Sequence, residues 1–304
     1  MTRSVGLPVA LALLAVVAFS QAQDAYTIKF KETSPGDIVE VDEQSTEQIH
    51  IKVADAAGKP ILDRAETKVK NFAYRETVLE RPDPQKRPTR LKRHYSRAEV
   101  KAGDKSQPLP YQGQTVLIEK KDGKYRFQLE GGKELTGPDA QYLDNEFNKE
   151  RTSDAEMRKL LLPGKPVRVG ESWKIDPEPL LKELTRGEEA TMNLDAAKAT
   201  AGGKLLEVYQ KDRAQFGKME FLVEVPIKEF VQGNQKLALQ PGALIRITLT
   251  ADLCIDGSLQ TGVMKGNVSL TATGVLPTPD GGQGKLTIAS KFVGHEQRKE
   301  LPRK

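Results

Sequence analysis

Apolar and polar residues alternate with period two through most of this 304-residue chain. That periodicity puts successive side chains on opposite faces of an extended strand, so it commits the chain to half-buried β-structure. Tyr26, Ile28 and Phe30 alternate with Thr27, Lys29 and Lys31; Ile49, Ile51 and Val53 alternate with Gln48, His50 and Lys52. Residues 73–81 and 89–100 flank "PDPQKRP" and predict a hairpin around a proline-rich loop. Residues 115–132 predict a second hairpin, with Asp122-Gly123 supplying the positive-φ turn. In the second half, a hairpin is expected around 211–217. Ile247, Leu249, Ala251, Leu253 and Ile255 then form one strand face, with Thr248, Thr250, Asp252 and Cys254 opposite. Met264, Val268, Leu270 and Ala272 answer them, and 284–294 reads as a last strand after a turn at 279–284. Long consecutive strands argue for antiparallel meanders.

The period changes only in the middle. Thr136 with Asp139, and Pro138 in the first turn, predict a helix start, after which Tyr142, Leu143 and Phe147 share a face. Ser153 with Glu156 predicts a second helix, carrying Met157, Leu160 and Leu161 and ended by Pro163-Gly164. Asp176-Pro177 opens a third with Leu180, Leu181 and Leu184. Between these lies the chain's one tryptophan, Trp173, paired with Ile175 on a short strand. A large ring there can cover both the helical middle and the second β-rich half, so Trp173 is expected to be an anchor; contact with a ligand is its second reading.

The expected fold class is therefore mainly β, with curved antiparallel sheets of half-barrel or sandwich-like form and a short helical segment in the middle. The parts are a signal peptide at 1–22, an N-terminal β-rich part at 23–137, a helical connector at 138–162 and a C-terminal β-rich part at 163–304, the two β-rich parts being separate or one continuous domain. The leader rests on Arg3, the apolar run Val5–Phe19 and the small residues at Ser20 and Ala22, and predicts cleavage before Gln23 and a secreted or periplasmic location. No later stretch approaches a membrane span. With a single cysteine, Cys254, the chain has no intramolecular disulfide and must hold itself by packing.

"LPGKPVRVGESW" at 162–173, with the helical stretch before it and "KDRAQFG" at 211–217 after it, resembles a signature, roughly L-P-x-K-x-V-x-V-G-x-x-W, of uncharacterised exported bacterial proteins. The resemblance spans about residues 70–275 and implies an exported β-rich protein with no activity to transfer. On strand content alone the chain is similar to the curved half-barrels of bacterial lipoprotein carriers, which bind acyl chains on a concave apolar face.

Chemistry-bearing motifs are sparse. His50, His94 and His295 lie far apart, none at metal-ligand spacing to a second His, Cys or carboxylate. Ser172 follows Gly170-Glu171, but the final glycine and the strand–turn–helix context of a nucleophile elbow are missing. Asp252 and Asp256 flank Cys254 and would disfavour its thiolate. The chain is accordingly read as non-enzymatic, without metal or cofactor. The formal charge of +5 is local: residues 81–105 hold nine Lys and Arg against three acids. Within that segment Arg90, Lys92 and His94 are expected on one face, and Leu91, Arg93, Tyr95 and Arg97 on the other.

Two functions follow. The first is a binding protein holding a lipid or other hydrophobic molecule on a concave sheet, with Trp173 and Tyr95 as contact residues. The second is an envelope module meeting an anionic component through Arg87, Arg90, Lys92, Arg93 and Arg97. Nucleic acid is disfavoured by the export signal and by the lack of interleaved stacking aromatics.

Overall fold

The computed structural model of the protein describes residues 24–149, 154–185, 191–232, 235–277 and 282–303. The expected leader at 1–22 lies outside them. In chain order the elements begin β1 (Ala25–Tyr26), β2 (Ile38–Ala54), β3 (Pro60–Glu80), β4 (Arg90–Ala102), β5 (Lys105–Pro108), β6 (Thr115–Lys121), β7 (Lys124–Leu129) and β8 (Glu134–Leu135). The middle holds α1 (Gln141–Phe147), α2 (Asp154–Leu161), β9 (Val167–Arg168), β10 (Ser172–Lys174) and α3 (Pro177–Thr185). Then follow β11 (Thr191–Leu194), β12 (Thr200–Lys211), β13 (Ala214–Gln232), β14 (Gln235–Ala238), β15 (Leu244–Cys254), β16 (Gly262–Pro277) and β17 (Gln283–Leu301).

The fold is mainly β, as expected from the periodicity, and consists chiefly of one large antiparallel sheet in the order β10-β12-β13-β15-β16-β17-β2-β3-β4-β6-β7-β8. Among the described residues its two ends, β10 and β8, do not pair with each other, so the sheet is open and curved rather than closed. Each half is a meander of sequential neighbours. They are joined by β17 and β2, which pair over 17 residues from Lys285 opposite Ala54 to Leu301 opposite Ile38. The last strand thus runs past the expected end at 294, through "HEQRKEL". Its inward positions there are Glu296, Arg298 and Glu300, so no apolar alternation marked it.

Turns explain where strands stop. Asp122 and Gly123 both have positive φ (52° and 84°) and close the β6–β7 hairpin as expected. The expected hairpin around 211–217 turns on Asp212-Arg213. The three expected helices are present, with a difference at the first. It opens as a 3-10 turn over 137–140, and the Thr136 side chain makes no capping hydrogen bond. Ser153, the expected cap of α2, and the first half of the turn expected at 279–284 lie outside the described residues.

All three helices pack on the same face of the sheet, here called inner. On the C-terminal side, β13 and β15 present Met219, Phe221, Val223, Ile245 and Ala251 to Leu180 and Leu181 of α3, Ile28 of the N-terminal segment and Trp173. The indole lies over Gly203, where any Cβ would fall within the ring, meets Phe221 edge-on with centroids 5.9 Å apart, and donates Nε1–H to the Leu161 carbonyl at 2.8 Å. Trp173 is therefore the expected anchor, tying the end of α2 to the sheet. On the N-terminal side, Leu91, Tyr95, Val116, Ile118 and Phe127 pack beneath Leu143 and Phe147 of α1. Cys254 does lie on the opposite face from Ile255, yet it is buried there, under Ala214 and Phe216.

The alternation expected through residues 89–97 holds only to Tyr95. Ser96 is an extra residue: Tyr74 pairs with Tyr95 and Ala73 with Arg97. This bulge reverses the parity of the strand. Arg97 consequently leaves the face of Leu91, Arg93 and Tyr95 and turns outward to Asp42, while Ala98 and Val100 take the inward positions.

Candidate functional site

The inner face can be mapped row by row from strand register. One row reads Arg298, Val41, Tyr74 and Tyr95 across β17, β2, β3 and β4. The next reads Glu296, Glu43, Phe72 and Ala98, and the one after it Gly294, Ser45, Lys70 and Val100. The first two rows, with Lys70 of the third, form a floor. Over it pass α1 and the 81–89 loop, and together they enclose a cavity of about 580 Å³ lined by Glu43, Phe72, Tyr74, Arg93, Tyr142 and Glu146 among others.

Arg93 organises one wall. It is 6% exposed, points inward from β4, and donates Nε–H to Glu76 at 2.7 Å. Its two terminal nitrogens grip both Glu146 oxygens of α1, at 2.9 and 2.8 Å. The guanidinium lies between the Tyr74 and Phe147 rings, 4.3 and 4.9 Å from their centroids. Burial by itself would lower its pKa, but Glu146, then Tyr74, Tyr95 and Glu76, more than offset this and hold the charge. Nη1 also donates to the Tyr95 hydroxyl at 3.3 Å. Tyr95 is packed between Tyr74 and Tyr111, with centroids 5.2 and 4.7 Å away, and burial pushes its phenol well above the usual range.

Glu43 stands at an inward position opposite Glu296. Burial first, then Glu296 and Glu146, raise its pKa, against Arg93 and Lys70. The consequence for stability has a definite sign. Between the unfolded value of 4.5 and the higher folded one, the native state binds more protons than the unfolded chain, so stability falls as pH rises through that window. Glu43→Gln is expected to be more stable than wild type at neutral pH and to lose that part of the slope. Chemical denaturation of both proteins from pH 4 to 8 checks this, and parallel curves would refute it.

The residues expected from sequence are dispersed. Tyr95 floors the cavity; Trp173 lies in the separate C-terminal core, so the two do not share a site. The basic segment is no free cationic strip. Arg93 is buried, which removes it as a surface contact. Arg97 is held by both Asp42 oxygens at 2.9 Å and Arg90 by Glu80 at 3.2 Å. Arg87 donates to the Glu146 carbonyl and covers the Phe147 ring, while Lys92 is exposed. These partners of the arginines come from outside the segment, which a local charge count cannot see. His50 pairs with Asp63 at 2.6 Å and His94 with Thr115 at 3.2 Å. Among the described residues no group of three or more His, Cys, Asp or Glu side chains is placed to hold a metal ion. Sequence reading missed Glu43, Glu76, Glu146, Glu296 and Arg298. The available signal was an ionisable residue at an inward position, as in Val39-x-Val41-x-Glu43 or Leu91-x-Arg93-x-Tyr95.

Beyond the cavity the inner face turns apolar. Successive rows carry Val268 and Phe292, Leu270 and Ile49, then Ile288 and Ile51, all half-buried. They end at Leu286 and Val53. Along β17 this strip covers six residue steps, about 20 Å. No described helix is long and apolar enough to cross a membrane.

No family model matches the chain, and no curated protein does either. Among solved structures, a lipovitellin chain, described under lipid–protein interactions, matches 88% of this chain at 9% identity and a TM-score of 0.30. This chain spans about a quarter of that protein, 26%. DynF, from the dynemicin biosynthesis pathway of Micromonospora chersina, matches 95% of this chain and 92% of its own at 10% identity and TM-score 0.15. A mutant Rh. blastica porin matches 84% of this chain and 99% of its own at 6% identity and TM-score 0.20. At such scores these likenesses carry no inference about function.

Proposed function

We propose that this is an exported, non-enzymatic binding protein of the bacterial group whose signature residues 162–173 resemble, and that it holds a hydrophobic molecule on the inner face of its sheet. The observation that carries the reading is the half-buried apolar strip from Phe292 to Val53, which leads out of the cavity on the same face. Ligand sites typically combine apolar surface with convergent polar groups; here the strip offers the apolar surface and the cavity, which is mainly polar, offers the charged groups. A binding role rather than a catalytic one is supported by the commitment of two cavity carboxylates, Glu76 and Glu146, to Arg93. Charge-assisted pairing of this kind, bidentate at Glu146, fixes a carboxylate as a strut and opposes its service as an acid or base.

The test is mass spectrometry of the protein purified without detergent from its native host, before and after organic extraction. A hydrophobic small molecule recovered in near-stoichiometric amount is expected. Protein that carries no such molecule, and that takes up none when the extracted form is offered acyl lipids, would overturn the proposal.

A further inference from the structure

The cavity and the strip differ in charge, and the difference specifies the ligand's polar end. The cavity is lined by nine Lys and Arg side chains against five Glu. Its cationic excess reaches the edge where the strip begins. Lys70 and Lys68 are successive inward residues of β3, and Lys68 lies in the same row as Phe292, the first large ring of the strip. Both ammonium groups lie over the Tyr142 ring of α1, at 5.3 Å for Lys68 and 5.7 Å for Lys70. Glu47, between Phe292 and Lys68, is the acidic residue of that row. Cations held at an aromatic face, beside an apolar track on the same sheet, complement a molecule with an anionic head and one hydrocarbon tail.

Building on the hydrophobic-ligand reading above, we infer that the ligand is a single-chain anionic amphiphile. Its head is held at Lys68 and Lys70 against Tyr142, and its tail lies along Phe292, Ile49, Ile288 and Ile51. The row map gives its direction: the head faces α1 and the tail points toward the β2–β3 turn.

The experiment uses the extracted mature protein and three probes titrated calorimetrically at physiological salt, with the amphiphiles below their micelle concentrations. The probes are dodecyl phosphate, dodecyl maltoside and inorganic phosphate. Dodecyl phosphate is expected to bind about tenfold more tightly than dodecyl maltoside, the scale of one charge-assisted contact, with inorganic phosphate far weaker than either. Both the double variant Lys68→Glu, Lys70→Glu and its neutral counterpart Lys68→Met, Lys70→Met should erase the preference by weakening dodecyl phosphate binding, and the neutral pair, which adds no carboxylate beside Glu43 and Glu47, should keep the native near-ultraviolet circular dichroism. Equal affinity for the two amphiphiles would overturn the head-group inference and leave the hydrophobic-ligand reading standing. Failure of both to bind would bring that reading down as well. Inorganic phosphate binding as tightly as dodecyl phosphate would show a free-anion site and overturn the amphiphile. If neither lysine variant alters the preference in a protein that melts like wild type, the head is not held there.

Discussion

Trp173→Ala is expected to destabilise the protein by about 3–5 kcal/mol, the range for emptying a buried aromatic site. In a domain of this size that corresponds to a fall in melting temperature of roughly 6–10 °C. The size of the effect follows from what the ring does at once. It fills the space over Gly203, meets Phe221 edge-on, and its N–H satisfies the Leu161 carbonyl at the end of α2. Trp173→Phe separates these roles: it keeps most of the apolar contact but leaves that carbonyl unpaired, at a cost of about 1–2 kcal/mol. Because Trp173 is the chain's one tryptophan, its emission reports its own burial and should shift to the red on unfolding. Emission like that of free indole in the native protein, with an unchanged melting temperature in the alanine variant, would refute the anchor.

The second large effect is expected at Arg93. Arg93→Ala should cost about 3 kcal/mol, the low end for breaking a buried ion pair, because its partner Glu146 is partly exposed and can recover some hydration. Two losses combine: Glu76 and Glu146 are left facing Glu43 without their cation, and α1 loses its bidentate tie to β4. Arg93→Lys should rescue only part of it, since an ammonium cannot reproduce the fork. Arg93→Met, which keeps bulk between Tyr74 and Phe147, tests how much of the effect is packing. Chemical denaturation, with near-ultraviolet circular dichroism to follow the tyrosine cluster, measures each variant. An alanine variant within about 0.5 kcal/mol of wild type, the range of ordinary surface substitutions, would show that Arg93 does not hold α1 in place.

What the sequence determined by itself was local. Period-two alternation placed most strands, the Asp122-Gly123 turn closed its hairpin, Pro163-Gly164 ended α2, and the position of Trp173 between helix and strand marked it as an anchor. These features depend on backbone sterics and on neighbours a few residues away, so they are legible without a fold. Four things were decided only by tertiary structure. The pairing of β17 with β2 joins residues about 250 apart along the chain and turns two meanders into one sheet. The single extra residue Ser96 moves Arg97 to the outer face. The basic segment meets its counter-charges at Asp42, Glu76, Glu80 and Glu146, none of them within it. Finally, the cavity exists because Glu43, Glu296, Tyr74, Arg93 and Glu146, drawn from five separate elements, converge on one face. Strand register decides each of these, and register is fixed by the sum of many cross-strand contacts, which no single segment contains.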